Sequence, residues 1–216
     1  MSHRARLAFV TFLTFVRFPL ALLFFAGAIV YTDADWRHPW LFAVTFASLI
    51  LSALTDLFDG YFARRFGVVT SLGGHADPLM DKFFYLASLP LLAFVAAIKD
   101  GHMVHARLLL IITLLFLARD QWVTFLRSIG AMYNVSGKAN WSGKLRTAIN
   151  FPLVCVIYYF EEAPEAWQFI PAFLVYAFEV LALTITLLSL YIYTRNYWPS
   201  LRRSARVREQ PPAGDK

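Results

Sequence analysis

Six long apolar stretches constrain the fold of this chain more than any other feature. They cover residues 7–31, 40–62, 79–98, 106–126, 145–160 and 170–194, of which the fifth is the shortest and contains Pro152. Each is near the roughly 20 residues that a helix needs to cross a bilayer. None alternates with a period of two, so helices are predicted rather than strands. Because 59% of the residues are hydrophobic and 16% are charged, we predict an all-α, polytopic membrane protein with six transmembrane helices.

The basic residues lie on alternate sides of these stretches, and this pattern predicts the orientation of the chain. They are Arg4, Arg6, Arg64, Arg65, Arg127, Lys138, Lys144, Arg146, Arg195, Arg202, Arg203, Arg206 and Arg208. Because cytoplasmic loops are enriched in lysine and arginine, both termini are expected in the cytosol. The net charge of +6 is therefore interpreted as membrane orientation, not nucleic-acid binding. Residues 1–194 form the predicted membrane domain, and 195–216 a basic cytoplasmic tail expected to be disordered.

The first apolar stretch resembles a signal peptide in two respects. Arg4 and Arg6 precede it, and the small residues 26–28 resemble a cleavage site. Arg17 interrupts the apolar core, however, and the run continues past Ala28 to Tyr31. We therefore expect a retained helix and not a cleaved leader. The side chain of Arg17 is expected either to snorkel to the membrane surface or to point inward.

The second stretch ends in an acidic motif. Asp56 and Asp59 follow an apolar run from 40 to 54, so they lie inside the bilayer or at its cytoplasmic edge. Ionisable residues at that depth are costly and are candidate functional residues. Residues three, four, seven and eight positions apart share one helix face, which here carries Asp56, Asp59, Gly60, Ala63 and Arg64. The small Gly60 and Ala63 leave a notch beside the carboxylates.

A second acidic pair follows a short turn region at 66–74. Asp77 is expected to be the N-cap of the third helix, with Pro78 in its first turn and Asp81 four residues later on the same face. The short connection would bring both acidic pairs together. Two carboxylates about 5 Å apart repel by about 3 kcal/mol at an effective dielectric constant of 20. Four carboxylates this close together must therefore be partly protonated or must bind a cation. Because all of the ligand atoms would be oxygens, Mg²⁺ or Mn²⁺ is favoured over zinc.

The spacing of the acidic motif matches a known family signature. The positions read Asp56-x2-Asp59-Gly60-x2-Ala63-Arg64-x8-Gly73-x3-Asp77-x3-Asp81. This pattern resembles the signature of the CDP-alcohol phosphatidyltransferase family. The resemblance implies an enzyme that cleaves the pyrophosphate of a CDP-linked donor, usually CDP-diacylglycerol. It also implies transfer of the phosphatidyl group to an alcohol, with release of CMP.

The resemblance implies a role for each matched position. Asp56, Asp59 and Asp77 would be ligands of two divalent ions, Mg²⁺ or Mn²⁺. Asp81 would also lie near a metal and act as general base toward the acceptor hydroxyl. The CDP-bearing donor would bind at Asp56, Asp59, Gly60, Ala63, Arg64 and Gly73.

Three further segments indicate which alcohol accepts the phosphatidyl group. Residues 13–17, 117–127 and 142–147 resemble a subfamily whose acceptor is glycerol 3-phosphate. This chain departs from the subfamily pattern at Arg146, where a lysine is usual, and at Asn150, where a glutamine is usual. Both departures keep the polarity of the position.

Four basic residues are candidates for binding the acceptor phosphate: Arg119, Arg127, Lys144 and Arg146. An alternative is that they are membrane-surface anchors that bind lipid phosphates. Arg119 lies deeper and beside Asp120, so it is also a candidate for an internal ion pair.

Other functions remain open from the residues alone. Within the family, inositol phosphate, inositol or phosphatidylglycerol could be the acceptor. From another class, a cation transporter would use intramembrane acids, but it would place them near the bilayer midplane and not at one face. The resemblance further implies the bacterial inner membrane, with the active site facing the cytosol. Since family members often form homodimers, a second copy of the chain is a candidate partner.

Overall fold

The computed structural model describes residues 3–33, 35, 37–68, 71–99, 101–133, 135 and 141–205, without the side chains of 3, 56, 57, 71–79, 81, 144 and 147. In this part of the chain the secondary structure is helical, with no strand, and the predicted all-α class is confirmed. The elements are α1 (His3–Thr32), α2 (Pro39–Phe66), α3 (Ser71–Ala97), α4 (Met103–Met132), α5 (Trp141–Glu162), a 3₁₀ turn (Glu165–Trp167) and α6 (Ala172–Ser204).

The helices have the lengths and surfaces of a membrane protein. Within the described ranges, four helical segments are long and apolar enough to cross a bilayer: Arg4–Thr32, Pro39–Phe66, Met103–Met132 and Ala172–Ser204. The segment Lys82–Ala97 is a shorter apolar helix. Many large hydrophobic side chains, such as Phe12, Leu114 and Phe173, point outward, as expected for a surface that faces lipid. The finer prediction, six transmembrane helices with cytoplasmic termini, stays a prediction.

Helix α5 packs against α1, α2 and α3 through its aromatic side chains. The ring of Tyr158 on α5 packs edge-on against Phe24 of α1 and stacks on Phe42 of α2, with centroid distances of 5.0 and 5.7 Å. Phe151 stacks on Phe84 of α3 at 4.3 Å. A helix with so much protein contact can carry buried polar residues, since neighbouring helices can supply their partners.

The connection between α2 and α3 is shorter than predicted. Helix α2 ends at Phe66, and Gly67 follows in the left-handed conformation with φ of 63°, which a glycine adopts without a steric penalty. Helix α3 then begins at Ser71. The predicted turn at 66–74 is therefore too long, and the prediction of Asp77 as N-cap is wrong. Asp77 lies six residues inside α3.

The C-terminal helix is longer than predicted. Helix α6 continues to Ser204, about ten residues beyond the predicted end of the last apolar stretch at residue 194, while the division into membrane domain and tail stays a prediction. Tyr197 is buried in this extension, and its ring packs against α4 at Gly130, where a Cβ atom would collide with it. The predicted disorder of residues 206–216 concerns residues outside the described ranges.

Short connections place successive helix ends together, so the bundle has two distinct ends. We call the end with the 67–70 connection the aspartate end. The opposite end is the glutamate end, because Glu161 and Glu162 lie there at the C-terminus of α5. Lys99 and His102, between α3 and α4, contact Glu161 there.

Candidate active site

Asp59 is a buried carboxylate that pairs with an arginine from the neighbouring helix. Arg17 of α1 places its Nη2 atom 3.0 Å from Oδ2 of Asp59 on α2, and the two side chains are 1% and 3% exposed. Of the two orientations expected for Arg17, the structure shows the inward one. Removing either partner of such a buried pair leaves an uncompensated charge, which is strongly destabilising.

The small residues of the motif lie beside a guanidinium group. A Cβ atom built at Gly60 would lie 3.4 Å from Nη1 of Arg64 and 3.7 Å from Nη2. Arg64 is exposed, and Ala63 is half-buried one residue before it. Gly60 and Arg64 therefore share one face of α2, as the helical spacing predicted.

The structure describes only the backbone of the other acidic residues of the motif, Asp56, Asp77 and Asp81. The same holds for Gly73. Their backbone positions are described: Asp56 is one turn before Asp59 in α2, and the other three lie in α3. Convergence of the four carboxylates thus stays a prediction.

A second polar cluster, which we call the arginine network, joins α4, α5 and α6. Asp120 accepts hydrogen bonds from Arg119 Nη1 at 2.9 Å and from Arg146 Nη2 at 3.0 Å. Arg119 also donates to Oγ of Ser189 on α6. Arg119 is therefore part of an internal ion pair, which was one of the two interpretations of its position beside Asp120.

Tyr193 of α6 extends the arginine network toward the aspartate end. Nη2 of Arg127 donates to its hydroxyl at 2.9 Å. The guanidinium carbons of Arg119 and Arg127 lie 5.1 and 5.4 Å from its ring centroid, within the range of cation–π attraction. Lys144, the fourth candidate for binding the acceptor phosphate, has its side chain outside the described residues.

Several buried polar atoms near the network have no hydrogen-bond partner among the described atoms. They include Nε of Arg119, Arg127 and Arg146, Oγ of Ser142, and both amide atoms of Asn150. Ser142, Arg146 and Asn150 are spaced by four residues and so lie along one face of α5. Buried donors without partners are costly, and a bound anion would satisfy them.

Sequence reasoning missed part of this site. Tyr193 was not singled out, because its contacts with Arg119 and Arg127 join residues more than 60 positions apart. The partner of Arg17 was not identified for the same reason. Asp120 was noted beside Arg119, but its second bond, to Arg146, depends on the packing of α5 against α4.

The buried pair predicts a specific pattern of stabilities. Arg17→Met leaves Asp59 without this partner and should lower the free energy of unfolding by about 3–5 kcal/mol, measured by SDS titration in mixed micelles. The double variant Arg17→Met/Asp59→Leu should recover a large part of that loss. Arg107→Met, which removes an exposed arginine on α4, is the matched control. If Arg17→Met proves as stable as this control, the pair does not stabilise the fold.

Comparison with known proteins identifies the same family that the spacing of the acidic motif resembles. A family model described as CDP-alcohol phosphatidyltransferase matches residues 8–194, which contain both the acidic motif and the arginine network. The chain is 28% identical over 174 residues to a CDP-diacylglycerol–glycerol-3-phosphate 3-phosphatidyltransferase of Pseudomonas fluorescens. That alignment covers 78% of this chain and 82% of the relative.

Two further relatives have similar names but are covered less completely. A probable phosphatidylglycerophosphate synthase of Mycobacterium tuberculosis is 30% identical over 155 residues, which are 69% of this chain and 65% of the relative. A CDP-diacylglycerol–glycerol-3-phosphate 3-phosphatidyltransferase of Rickettsia bellii is 33% identical over 98 residues, covering 45% of this chain and 49% of that protein. Since the family model matches most of its length, this chain belongs to the CDP-alcohol phosphatidyltransferase family, a family of transferase enzymes.

Proposed function

We propose that this protein transfers the phosphatidyl group of CDP-diacylglycerol to glycerol 3-phosphate, giving phosphatidylglycerophosphate and CMP. The observation that carries the proposal is the complete acidic motif within the family match, with Asp59 buried against Arg17. The names of the relatives from Pseudomonas fluorescens and Rickettsia bellii support the same donor and acceptor.

The donor set of the motif fits hard divalent cations. Asp56, Asp59, Asp77 and Asp81 offer carboxylate oxygens alone, the ligands that Mg²⁺ and Mn²⁺ prefer. When bound, two such ions would neutralise charge on the pyrophosphate of the donor. In this proposal, Arg17 fixes the orientation of the Asp59 carboxylate. Gly60, Ala63, Arg64 and Gly73 shape the surface that receives the cytidine diphosphate group.

Asp81 is proposed as the general base. It lies in α3, one turn after Asp77, and so on the same helix face. A carboxylate in this position can take the proton of the acceptor hydroxyl as the oxygen attacks the phosphorus of the phosphatidyl group. The bond between that phosphorus and the bridging oxygen then breaks, and CMP leaves.

The arginine network is proposed to bind the phosphate of the acceptor. The cationic groups of Arg119, Arg127 and Arg146 outnumber the carboxylate of Asp120. Each arginine also has a buried Nε donor for which the described part of the chain supplies no hydrogen-bond partner. An anionic acceptor would supply both the missing charge and the missing hydrogen-bond acceptors. This favours glycerol 3-phosphate over the neutral acceptor inositol.

The topology proposed with this function has six membrane spans and both termini in the cytosol of a bacterium, with the protein in the inner membrane. The aspartate end would then face the cytosol, where CMP and glycerol 3-phosphate are soluble. A homodimer is part of the proposal as well. Lipid contact is supported by the four helices that are long enough to span a bilayer.

The first test is an acceptor panel. Purified protein with CDP-diacylglycerol should release CMP when glycerol 3-phosphate and Mg²⁺ or Mn²⁺ are both present. Inositol phosphate, inositol and phosphatidylglycerol should give much slower release, measured by chromatography of labelled CMP. Faster release with another acceptor would reassign the substrate, and release in excess EDTA would refute the metal requirement.

The second test concerns the base. Asp81→Asn should lower kcat by about 10²–10⁴-fold, the usual contribution of a positioned base, while binding of a CDP-lipid measured by calorimetry is largely kept. Asp33→Asn, which changes an exposed carboxylate in the α1–α2 connection, should keep normal turnover. Unchanged kcat in Asp81→Asn would remove this residue as the base.

The third test concerns the acceptor site. Arg146→Gln should raise the KM for glycerol 3-phosphate by about 10–100-fold, because a charge-assisted hydrogen bond contributes about 1.5–3 kcal/mol. The KM for CDP-diacylglycerol should change much less. Arg146→Lys, the residue usual in the resembling subfamily, should restore most of the affinity. If Arg146→Gln changed both KM values equally, Arg146 would have a structural role and would not bind the acceptor phosphate.

A further inference from the structure

A buried cluster of histidine and glutamate side chains lies at the glutamate end of the bundle, away from the acidic motif. His102 and His105 come from the start of α4, Glu161 from the end of α5, and Glu179 from α6. His105, Glu161 and Glu179 are all at least 98% buried. The proposed transferase chemistry uses none of these residues.

Two imidazole rings converge on one carboxylate. Nδ1 of His105 lies 2.5 Å from Oε1 of Glu161, and Nδ1 of His102 lies 3.0 Å from Oε2 and 3.2 Å from Oε1. One ligand atom from each of the three residues can be chosen so that all lie within 4.8 Å of one another. Around a tetrahedral metal with bonds of about 2.0–2.2 Å, ligand atoms lie about 3.3–3.6 Å apart, so a bound ion would separate the His105 and Glu161 atoms by about 1 Å more than in this structure.

The contact of His105 with Glu179 indicates that Nδ1, which faces Glu161, is the ring nitrogen that would bind a metal. Nε2 of His105 lies 2.7 Å from Oε1 of Glu179. An ionised carboxylate accepts hydrogen bonds and cannot donate them, so Nε2 carries the hydrogen. In the neutral ring, Nδ1 then carries a lone pair directed toward the negatively charged Glu161. A shared cation resolves this contact and leaves both imidazoles neutral, whereas the alternative is a buried imidazolium.

Glu179 has the position of an outer partner. Histidine ligands in metal sites usually donate their other N–H group to a carboxylate, which fixes the tautomer and the orientation of the ring. Glu179 makes this contact with His105, and its second oxygen, Oε2, is buried without a hydrogen-bond partner among the described atoms.

We propose that His102 Nδ1, His105 Nδ1 and the carboxylate of Glu161 bind one divalent transition-metal cation of the zinc class, with Glu179 orienting His105. Two imidazoles and one carboxylate favour such a cation over Mg²⁺. The side chain of His102 is 37% exposed, so the cation can enter from solvent and keep water as a further ligand. The bound cation fastens α4 to α5 directly, and to α6 through Glu179.

Nearby charges belong to the same cluster. Nζ of Lys99 lies 3.7 Å from Oε2 of Glu161 and 3.3 Å from Oε1 of Glu162. Arg37 lies 3.8 Å from the same Glu162 oxygen. Because Glu162 is the nearer partner of Lys99, Glu161 remains directed mainly toward the two histidines.

Zinc binding to the full-length protein tests this proposal. The protein is stripped with EDTA, kept in excess Mg²⁺ to saturate the acidic motif, and titrated with Zn²⁺ by calorimetry. Metal content is read by mass spectrometry after dialysis. We expect one Zn²⁺ per chain, and X-ray absorption should show two imidazole ligands.

Matched variants locate the ion. His102→Gln and Glu161→Gln should abolish stoichiometric binding, and Glu179→Gln should weaken it by about 10–100-fold. His38→Gln, which changes an exposed histidine at the same end, should keep one Zn²⁺ per chain. Since His102 is partly exposed, its variant tests the site with little risk to the fold, which size-exclusion chromatography checks.

Three outcomes would overturn the proposal. The first is wild-type protein without bound Zn²⁺, which means that protons alone hold the cluster together. The second is full zinc content in both His102→Gln and Glu161→Gln. The third is loss of zinc in His38→Gln comparable to that in His102→Gln. The result does not depend on CMP release, so it stands or fails separately from the proposed transferase function.

Discussion

A carboxylate inside an apolar helix bundle requires a positive partner, and this requirement organises the protein around Asp59. Desolvation of an unpaired carboxylate would cost several kcal/mol, but α1 supplies Arg17 at 3.0 Å. The pair fixes the packing of α1 against α2 at that level of the bundle. In the proposed function, Arg17 also fixes the orientation of Asp59 toward the metal site.

Polar groups elsewhere in the bundle follow the same principle of local compensation. In the arginine network, Asp120 joins Arg119 and Arg146 and thereby links α4 to α5. The network still carries excess positive charge, which suits an anionic substrate. At the glutamate end the balance is reversed, because Glu161, Glu162 and Glu179 gather around two histidines and a lysine. One scaffold thus carries an arginine-rich cluster and a glutamate-rich cluster, which we propose to bind an anion and a cation, respectively.

The sequence predicted the helices well because a bilayer requires long apolar segments with internally bonded backbones. It predicted their ends less well. Gly73 and Gly74 suggested a turn, yet α3 already begins at Ser71, since backbone groups near a membrane are best satisfied within a helix. Tyr197 packs against Gly130 within the extension of α6 beyond residue 194. Contacts of this kind join distant positions, and no local pattern reveals them.

The acidic motif was visible from the sequence because its spacing is local, with all members within 26 residues. The partners of these residues were not visible. Arg17 and Asp59 are 42 positions apart, and His105 and Glu179 are 74 apart. Glu161 is buried at the end of α5, and its partners His105 and Lys99 lie more than 55 positions earlier in the chain. Tertiary packing, which is not encoded in a short window, decides these pairings.

The central claim is that the carboxylates of Asp56, Asp59, Asp77 and Asp81 converge on divalent metal between α2 and α3. An anomalous-difference map from crystals of the protein soaked in Mn²⁺ tests it most directly. The account predicts strong peaks between the two helices, with carboxylate oxygens of Asp59 and Asp77 at about 2.0–2.3 Å from the ions. A map with no peak there, or with the four carboxylates directed apart, would contradict it.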